Sequence, residues 1–180
     1  MALGLTRRGM KATEAALDGR FPPPTAVVGL SGVVELAAGG YHSCARLTDG
    51  SVSCWGNNGL GQLGDGTLVD KLSPTAVAGL SGVAGLAASD YHTCGRIAAD
   101  GSVRCWGANG FGQLGDGTVV DKPSPTTVAG LSGIAELSAH GYHTCARTAV
   151  GAVSCWGWNA YGQLGDATTA DKLSPTPVSW

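Results

Sequence analysis

The chain has 180 residues, a formal net charge of −2 and a charged fraction of 13%. This charge provides no basic surface of the kind that nucleic-acid binding requires, so we expect no nucleic-acid partner. No apolar run reaches the length of a membrane-spanning helix, so we expect no membrane partner either. The chain contains 30 glycines and 8 prolines, which divide it into short apolar runs and favour an all-β fold.

Residues 1–20 precede the repeated part of the chain and are predicted to form an N-terminal arm. The segment 11–17 contains good helix formers, but a helix of two turns is marginally stable alone. Arg7 and Arg8 interrupt the first apolar residues, so the start of the chain does not resemble a signal peptide. The sequence as given therefore does not indicate export.

Residues 21–180 repeat one pattern three times, in approximate units 29–78, 79–129 and 130–180. Each unit carries Tyr-His, a cysteine, Cys-Trp-Gly and Gly-Gln-Leu-Gly-Asp in that order. A period of about 50 residues is typical of stacked or propeller repeats, because one unit cannot bury its apolar face alone. In the first unit we predict strands over residues 33–37, 42–47, 51–55 and 75–77. Four short strands form one β-propeller blade, so we predict three blades of four antiparallel strands.

Two cysteines in each unit flank a predicted hairpin. A loop of three residues in the first and third units, and of four in the second, places these cysteines directly opposite each other. Opposed residues on antiparallel strands are close enough to be bridged. We predict one disulfide per unit, and three pairs of buried free thiols are the alternative. The predicted pairs are Cys44 with Cys54, Cys94 with Cys105, and Cys145 with Cys155.

The cysteine pattern also bears on compartment and on metal binding. An even number of cysteines at a repeated spacing favours an oxidising compartment, extracellular or periplasmic. Cysteines this far apart lack the short spacing of zinc ligands, so we expect neither a metal nor another cofactor.

Two further residue types recur once per unit. The tryptophans of Cys-Trp-Gly are predicted to be buried between neighbouring blades. The histidines of Tyr-His could bind zinc if they converged on the propeller axis, but we expect packed strand residues that hydrogen-bond to the next blade. These structural residues are Trp55, Trp106 and Trp156, and His42, His92 and His143.

Residues that differ between otherwise matching units are the candidates for partner binding. They lie in the loops that follow Cys-Trp-Gly and include several aromatic side chains, the type that contributes most to interface energy. The alternative is tolerated loop variation or packing between blades. The candidate residues are Asn57, Leu60, Phe111, Trp158 and Tyr161.

Catalytic motifs are missing from the sequence. It contains no nucleophile elbow, no phosphate-binding Gly-rich loop and no unique pair of carboxylates, because nearly every polar candidate is present in three copies. A residue repeated in every blade usually stabilises the blade. We therefore expect a protein that is not an enzyme.

Three segments of the first unit carry a family resemblance: Leu36 to Cys44, Cys54-Trp55-Gly56-Asn57, and Gly61 to Gly64. They resemble the repeat of the regulator of chromosome condensation family, over roughly residues 20–180. This resemblance implies a β-propeller, usually of seven blades, but no single function. The family includes a Ran nucleotide exchange factor, a plant light receptor, a bacterial β-lactamase inhibitor and secreted bacterial proteins of unknown role.

The third unit departs from this pattern in one loop. Ala160 and Ala167 stand where the first unit has Gly59 and Gly66. Ala tolerates a positive φ poorly, so the loop geometry of the third unit is expected to differ.

The sequence therefore predicts a non-enzymatic β-propeller module that binds a protein partner through its loop faces. By family resemblance, the alternatives are a guanine-nucleotide exchange factor for a small GTPase and a secreted inhibitor or binding protein. Three blades are too few to close a ring, since propellers have four to eight. We expect either a homodimer with a six-bladed ring or a part of a longer propeller.

The disulfide pattern is directly testable by non-reducing peptide mapping. Each recovered disulfide should link the two cysteines of one hairpin. Each closes a loop of about ten residues, which the chain-entropy model values at ~2 to 3 kcal/mol. Recovery of six free thiols, or of disulfides that join different units, would contradict the prediction.

Overall fold

The structure, a computed structural model, describes residues 24–179, and these contain twelve β-strands. In chain order the strands are β1 (Val33–Ala38), β2 (His42–Leu47), β3 (Val52–Gly56), β4 (Lys71–Ala76), β5 (Val83–Ala88), β6 (His92–Ile97), β7 (Val103–Gly107), β8 (Lys122–Thr127), β9 (Ile134–His140), β10 (His143–Thr148), β11 (Val153–Gly157) and β12 (Lys172–Pro177).

Each group of four consecutive strands forms one antiparallel sheet, in sequential order. We refer to the sheets β1–β4, β5–β8 and β9–β12 as blades 1, 2 and 3. The first strand of blade 2, β5, contacts the first strands of the other two blades, β1 and β9, and residues of these three strands line a cavity of about 310 Å³. The prediction of an all-β propeller fold with three four-stranded blades is confirmed. The predicted arm, residues 1–20, lies outside the described residues.

The hairpin between the second and third strand of each blade has the predicted register. The two cysteines of each hairpin are directly opposed, and their sulfur atoms lie at bonding distance. The extra residue of blade 2 lies in its turn and leaves the pairing unchanged. The three pairs are Cys44–Cys54, Cys94–Cys105 and Cys145–Cys155.

The fourth strand of blade 1 is longer than predicted. It begins at Lys71 rather than at residue 75, because Lys71 pairs with Gly56 beyond a bulge in β4. A bulge leaves no periodic signal in the sequence, so the prediction included only the regular end of the strand. Pro74 is accommodated because β4 is an edge strand.

A tryptophan on the third strand of each later blade packs on the preceding blade. Trp106 is fully buried and contacts the cluster around Leu63 and Val77 of blade 1. Its indole Nε1 donates a hydrogen bond of 2.9 Å to the carbonyl oxygen of Gln62. Trp156 is equally buried, and its Nε1 donates to the carbonyl of the corresponding glutamine of blade 2 at 2.9 Å.

The prediction that all three tryptophans are buried is wrong for Trp55. This side chain is only partly buried, although it occupies the same position in its blade as Trp106. Burial of this position requires a preceding blade, and no described blade precedes blade 1. Burial here is a property of the junction between two blades rather than of the single repeat.

A glycine in the preceding blade makes room for each buried indole. Gly64 has a φ of +72°, and a Cβ built on it would lie 2.7 Å from Nε1 of Trp106. Gly115 has the same relation to Trp156, at 2.6 Å. Both the left-handed backbone and the close approach therefore require glycine.

The third blade retains its loop geometry despite its alanines. Ala167 has a φ of +62°, close to the +82° of Gly66, so the expected difference in the loop does not occur. An L-residue in this conformation costs about 1 to 2 kcal/mol. Ala160 is not among the residues with a positive φ, so alanine is compatible with its backbone.

Replacing Trp106 by Ala should lower the free energy of unfolding by about 3 to 5 kcal/mol, the usual cost of truncating a large buried aromatic residue. Val150→Ala is the matched control, because Val150 is 93% exposed at a hairpin turn, and it should have little effect. Chemical denaturation measures both variants. A loss of less than about 1 kcal/mol for Trp106→Ala would show that the indole does not stabilise the junction.

Candidate functional site

In each blade, the turn between the first and second strands and the loop between the third and fourth strands lie on the same side of the propeller. They are joined by a hydrogen bond from the amide of Asn57 to the carbonyl of Tyr41, at 2.9 Å. The same bond recurs from Ala108 to Tyr91 and from Trp158 to Tyr142. We call this side the loop face; it comprises residues 39–41 and 57–70 of blade 1 and the equivalent segments of blades 2 and 3.

A buried asparagine organises each long loop of the loop face, although it was not among the residues predicted from the sequence. The Asn58 side chain is fully buried; its Nδ2 donates to the carbonyl oxygens of Thr67 and Val69 at 3.0 and 3.2 Å. Its Oδ1 accepts the amide of Leu63 at 3.0 Å. Asn109 and Asn159 make the equivalent bonds. The available signal was an asparagine two residues after every Cys-Trp-Gly.

An aspartate and a lysine fix the other end of each loop. In blade 3, Asp166 Oδ1 accepts hydrogen bonds from the amide and hydroxyl of Thr168 at 3.0 and 2.8 Å. Lys172 lies 2.9 Å from the same carboxylate and lowers its pKa. Asp65 and Asp116 have the corresponding partners in blades 1 and 2. These contacts hold the loop face in one conformation without secondary structure.

Two of the three recurring histidines, His42 and His92, connect neighbouring blades. Nε2 of His42 lies 2.7 Å from the hydroxyl of Thr93 in blade 2. That hydroxyl donates to the carbonyl of Gln62 at 2.9 Å, so it accepts the proton of His42 Nε2. His92 makes the same contact with Thr144 of blade 3, at 2.8 Å. His143 is only partly buried, because no described blade follows blade 3.

The two buried histidines differ at the second ring nitrogen. Nδ1 of His92 is 2.6 Å from the Ser89 hydroxyl, whereas Nδ1 of His42 has no partner among the described residues. The difference arises because Gly39 stands at the position of Ser89. A Cβ at Gly39 would lie 2.1 Å from the Ser89 carbonyl oxygen, so the junction excludes a serine there.

Six aromatic side chains form a continuous ridge on the loop face. The rings of Tyr41, Tyr91 and Tyr142, one per blade, are stacked at centroid distances of 5.5 and 5.6 Å. Phe111 extends the row, 5.1 Å from Tyr142. The ring centroid of Trp158 lies 6.2 Å from that of Phe111 and 5.4 Å from that of Tyr161. We call these residues the aromatic ridge: Tyr41, Tyr91, Phe111, Tyr142, Trp158 and Tyr161.

Three of the five candidate partner-binding residues belong to this ridge: Phe111, Trp158 and Tyr161. Tyr161 is 84% exposed and Phe111 is 38% exposed. Leu60 occupies the position of Phe111 in blade 1 and is 36% exposed. The side-chain amide of Asn57 is instead engaged within its own loop, accepting from Gln62 and donating to Asp70. The tyrosines of Tyr-His were not among the predicted candidates, although their recurrence signalled a shared position.

Within residues 24–179, no group of three or more His, Cys, Asp or Glu side chains is arranged to hold a metal ion. The same residues contain no helix with the length and hydropathy needed to cross a membrane.

Successive four-stranded blades, joined by a buried tryptophan and a histidine contact, define a β-propeller repeat protein. Two models of the regulator of chromosome condensation (RCC1) repeat match the chain three times each. One matches residues 33–62, 83–113 and 134–163, and the other matches residues 49–95, 100–147 and 151–180. The chain therefore belongs to the RCC1 repeat family, and the resemblance seen in the sequence is confirmed.

Several known proteins are similar to this chain. The E3 ubiquitin-protein ligase HERC2 of Mus musculus is 30% identical over 139 residues, covering 72% of this chain and 3% of the ligase. The probable E3 ubiquitin-protein ligase HERC4 of Homo sapiens is 36% identical over 120 residues, covering 64% of this chain and 11% of that protein. The chain thus spans a small part of these relatives.

Among solved structures, Prp20p of Saccharomyces cerevisiae superposes with a TM-score of 0.75 at 24% identity. The superposition covers 95% of this chain and 43% of Prp20p. This similarity supports the propeller fold.

Acidification should destabilise the folded chain, because burial lowers the pKa of His42 to about 4 and that of His92 to about 3. The ordinary pKa of histidine is about 6.5, so the unfolded chain binds more protons below that pH. The stability that the two neutral histidines contribute is therefore fully present above about pH 6.5, and it is lost as the pH falls towards 4 and below. For His92 alone the loss at pH 5 should be about 2 kcal/mol.

Chemical denaturation at pH 7 and pH 5 measures this dependence. A His92→Asn variant should lose less stability between the two pH values than the unchanged chain, whatever its stability at pH 7. Equal stability of the unchanged chain at both pH values would contradict the prediction.

Proposed function

We propose that this chain is a non-enzymatic binding module whose aromatic ridge engages an apolar segment of another protein. The single observation that carries the proposal is the continuity of the ridge, in which six rings contact one another across three blades. Isolated surface aromatics are common, but an ordered row of them is a surface on which a partner can bury area.

The composition of the ridge suits protein recognition. Tyr and Trp combine a large apolar ring with a polar group, and they are enriched among residues that dominate interface energies. Tyr161 and Tyr41 are 84% and 59% exposed, so the two ends of the ridge are accessible on an isolated chain. Trp158, between them, contacts Phe111, Tyr142 and Tyr161 and is the centre of the cluster.

The support beneath the ridge favours binding with little loss of conformational entropy. Trp158 is followed directly by the buried Asn159, whose side chain donates to Thr168 and Ala170 at 3.0 Å each. Tyr142 lies in the two-residue turn between β9 and β10, directly before His143 of β10. A surface that is already ordered loses little entropy on association, which improves affinity for a given contact area.

The relatives are consistent with protein recognition by this fold. The study of Prp20p describes its binding properties to Gsp1p and histones, and the HERC relatives are E3 ubiquitin-protein ligases. These properties belong to those proteins, of which this chain covers only a part. Nucleotide exchange and secreted inhibition rest on the family resemblance alone, whereas the aromatic ridge is a feature of this chain.

Selection from a random peptide library on the immobilised chain tests the proposal. We expect enrichment of peptides with apolar side chains, and Phe111→Ala or Trp158→Ala should weaken the binding of a selected peptide about tenfold or more, as for an interface hot spot. Fluorescence polarisation measures the affinity.

Val119→Ala provides the matched control, because Val119 is an exposed apolar residue of the same loop face outside the ridge. It should leave the affinity unchanged. The proposal is wrong if no peptide is enriched, or if the ridge variants bind the selected peptides as tightly as the unchanged chain.

A further inference from the structure

Blade 2 carries an arginine without the glutamate that accompanies it in the other two blades. In every blade this arginine lies on the second strand, directly opposite one position of the first strand. The opposed residues are Glu35 with Arg46, Gly85 with Arg96, and Glu136 with Arg147. We propose that the cavity between the first strands binds the carboxylate group of a ligand, and that Arg96 and the backbone amide of Leu137 hold it.

Blade 1 shows how a carboxylate is bound at this position. Oε2 of Glu35 pairs with Nε of Arg46 at 2.6 Å, and its Oε1 accepts the backbone amide of Leu86 in blade 2 at 3.1 Å. One carboxylate thus connects the arginine of its own blade to the first strand of the next blade. Hydrogen bonds to an ionised group are stronger than those between neutral groups, so this is a specific arrangement for a carboxylate.

The junction between blades 2 and 3 offers the same two kinds of donor. Leu137 opposes Ala146 in blade 3 as Leu86 opposes Gly95 in blade 2. Because the register is the same, the amide of Leu137 points away from the second strand, as that of Leu86 does. Leu137 lines the cavity together with Arg96. Among the described residues, no side chain accepts a hydrogen bond from the Leu137 amide.

The guanidinium group of Arg96 is available to a ligand. One Nη donates to the carbonyl oxygen of Ala84 at 2.9 Å, which leaves several further N–H donors. Within residues 24–179, Arg96 takes part in no ion pair. A Cβ built on Gly85 would lie 3.4 Å from Nε of Arg96, so the guanidinium lies beside the position at which a glutamate side chain would begin. Arginine binds carboxylates well because its planar donors match both oxygens.

The charges around the cavity favour an anion beside Arg96. Glu35 and Glu136 also line the cavity, but each is already paired with the arginine of its own blade, at 2.6 and 2.8 Å. The positive charge of Arg96 is therefore the one that no carboxylate in these three opposed pairs balances. The cavity, of about 310 Å³, lies at the lower end of the range for small-ligand sites, about 300 to 1,000 Å³. It suits a small carboxylate or a single side chain.

The site lies entirely within the three described blades. Blade 2, which supplies Arg96 and Gly85, contacts a described blade on each side, through β1 and through β9. No residue of the site belongs to the aromatic ridge, so the carboxylate site and the proposed partner surface are separate. Failure of one proposal would leave the other standing.

Titration of the nitrogen-15-labelled chain with propionate at pH 7 tests the proposal, because propionate has the chemistry of a glutamate side chain. Sodium chloride at the same ionic strength is the reference. We expect a saturable change in the amide resonance of Leu137 and none in that of Leu86, whose amide already donates to Glu35. The absence of a saturable, propionate-specific change at Leu137 would overturn the proposal.

A second probe identifies the source of the carboxylate. A pentapeptide with a central glutamate is titrated beside the same peptide with glutamine. Tighter binding of the glutamate peptide than of propionate indicates a side chain of a partner protein. Tighter binding of propionate indicates a free small carboxylate. Equal binding of the glutamate and glutamine peptides, together with no response to propionate, would contradict a carboxylate site.

Variants of the two opposed residues separate this site from general attraction of anions. Arg96→Gln should weaken propionate binding about tenfold or more, since it removes the charged donor. Arg104→Gln is the matched control, because Arg104 belongs to the same blade but lines a different cavity, and it should bind propionate like the unchanged chain. Equal losses in the two variants, or no loss in Arg96→Gln, would overturn the proposal.

Gly85→Glu supplies the carboxylate from the chain itself. It should abolish propionate binding and, without ligand, move the Leu137 resonance in the direction that propionate moves it in the unchanged chain. Gly85→Ala is its control and should still bind propionate, because a Cβ at Gly85 meets no atom closer than 3.4 Å. Propionate binding to Gly85→Glu as tight as to Gly85→Ala would show that the ligand does not occupy the position of the glutamate.

Discussion

The packing of one tryptophan on the blade before it is the contact on which the rest of this structure depends. The indole of Trp106 lies against Gly64, donates to the Gln62 carbonyl and covers the cluster that includes the Cys44–Cys54 pair. A single four-stranded sheet of this size has no other way to cover its apolar face. The disulfides, the histidine contacts and the loop anchors are all built around this junction.

The fold was predictable because three copies of one pattern show which positions are shared. The cysteine spacing, with its extra residue in the second unit, was sufficient by itself to indicate the hairpin register. Two features could not be read in the same way. The buried Asn58 is polar and lies in a Gly-rich loop, so its residue type suggests exposure. The partial exposure of Trp55 depends on what lies beside its blade, and a repeat sequence describes only the blade.

The candidate site, like the fold, was predictable from the sequence only in part. Phe111, Trp158 and Tyr161 were identified because they vary between units, and the structure brings them together. The tyrosines were overlooked because repetition suggested a purely structural position, yet their stacking makes them one surface with the variable aromatics. A repeated residue can thus stabilise its blade and at the same time form a continuous surface, since the repeat places it at the same height in each blade.

The location of the disulfides has a mechanical consequence. Each links two adjacent strands of one blade, the paired cysteines stand 10 or 11 positions apart in the chain, and none joins two blades. A force applied along the chain can therefore separate blades without breaking a covalent bond, but it cannot extend the enclosed hairpin. The length of chain that each disulfide keeps from extending is about 35 Å per blade, at roughly 3.5 Å per extended residue. Under tension the protein would lengthen in blade-sized steps, and each step would be shortened by this amount until the disulfide is reduced.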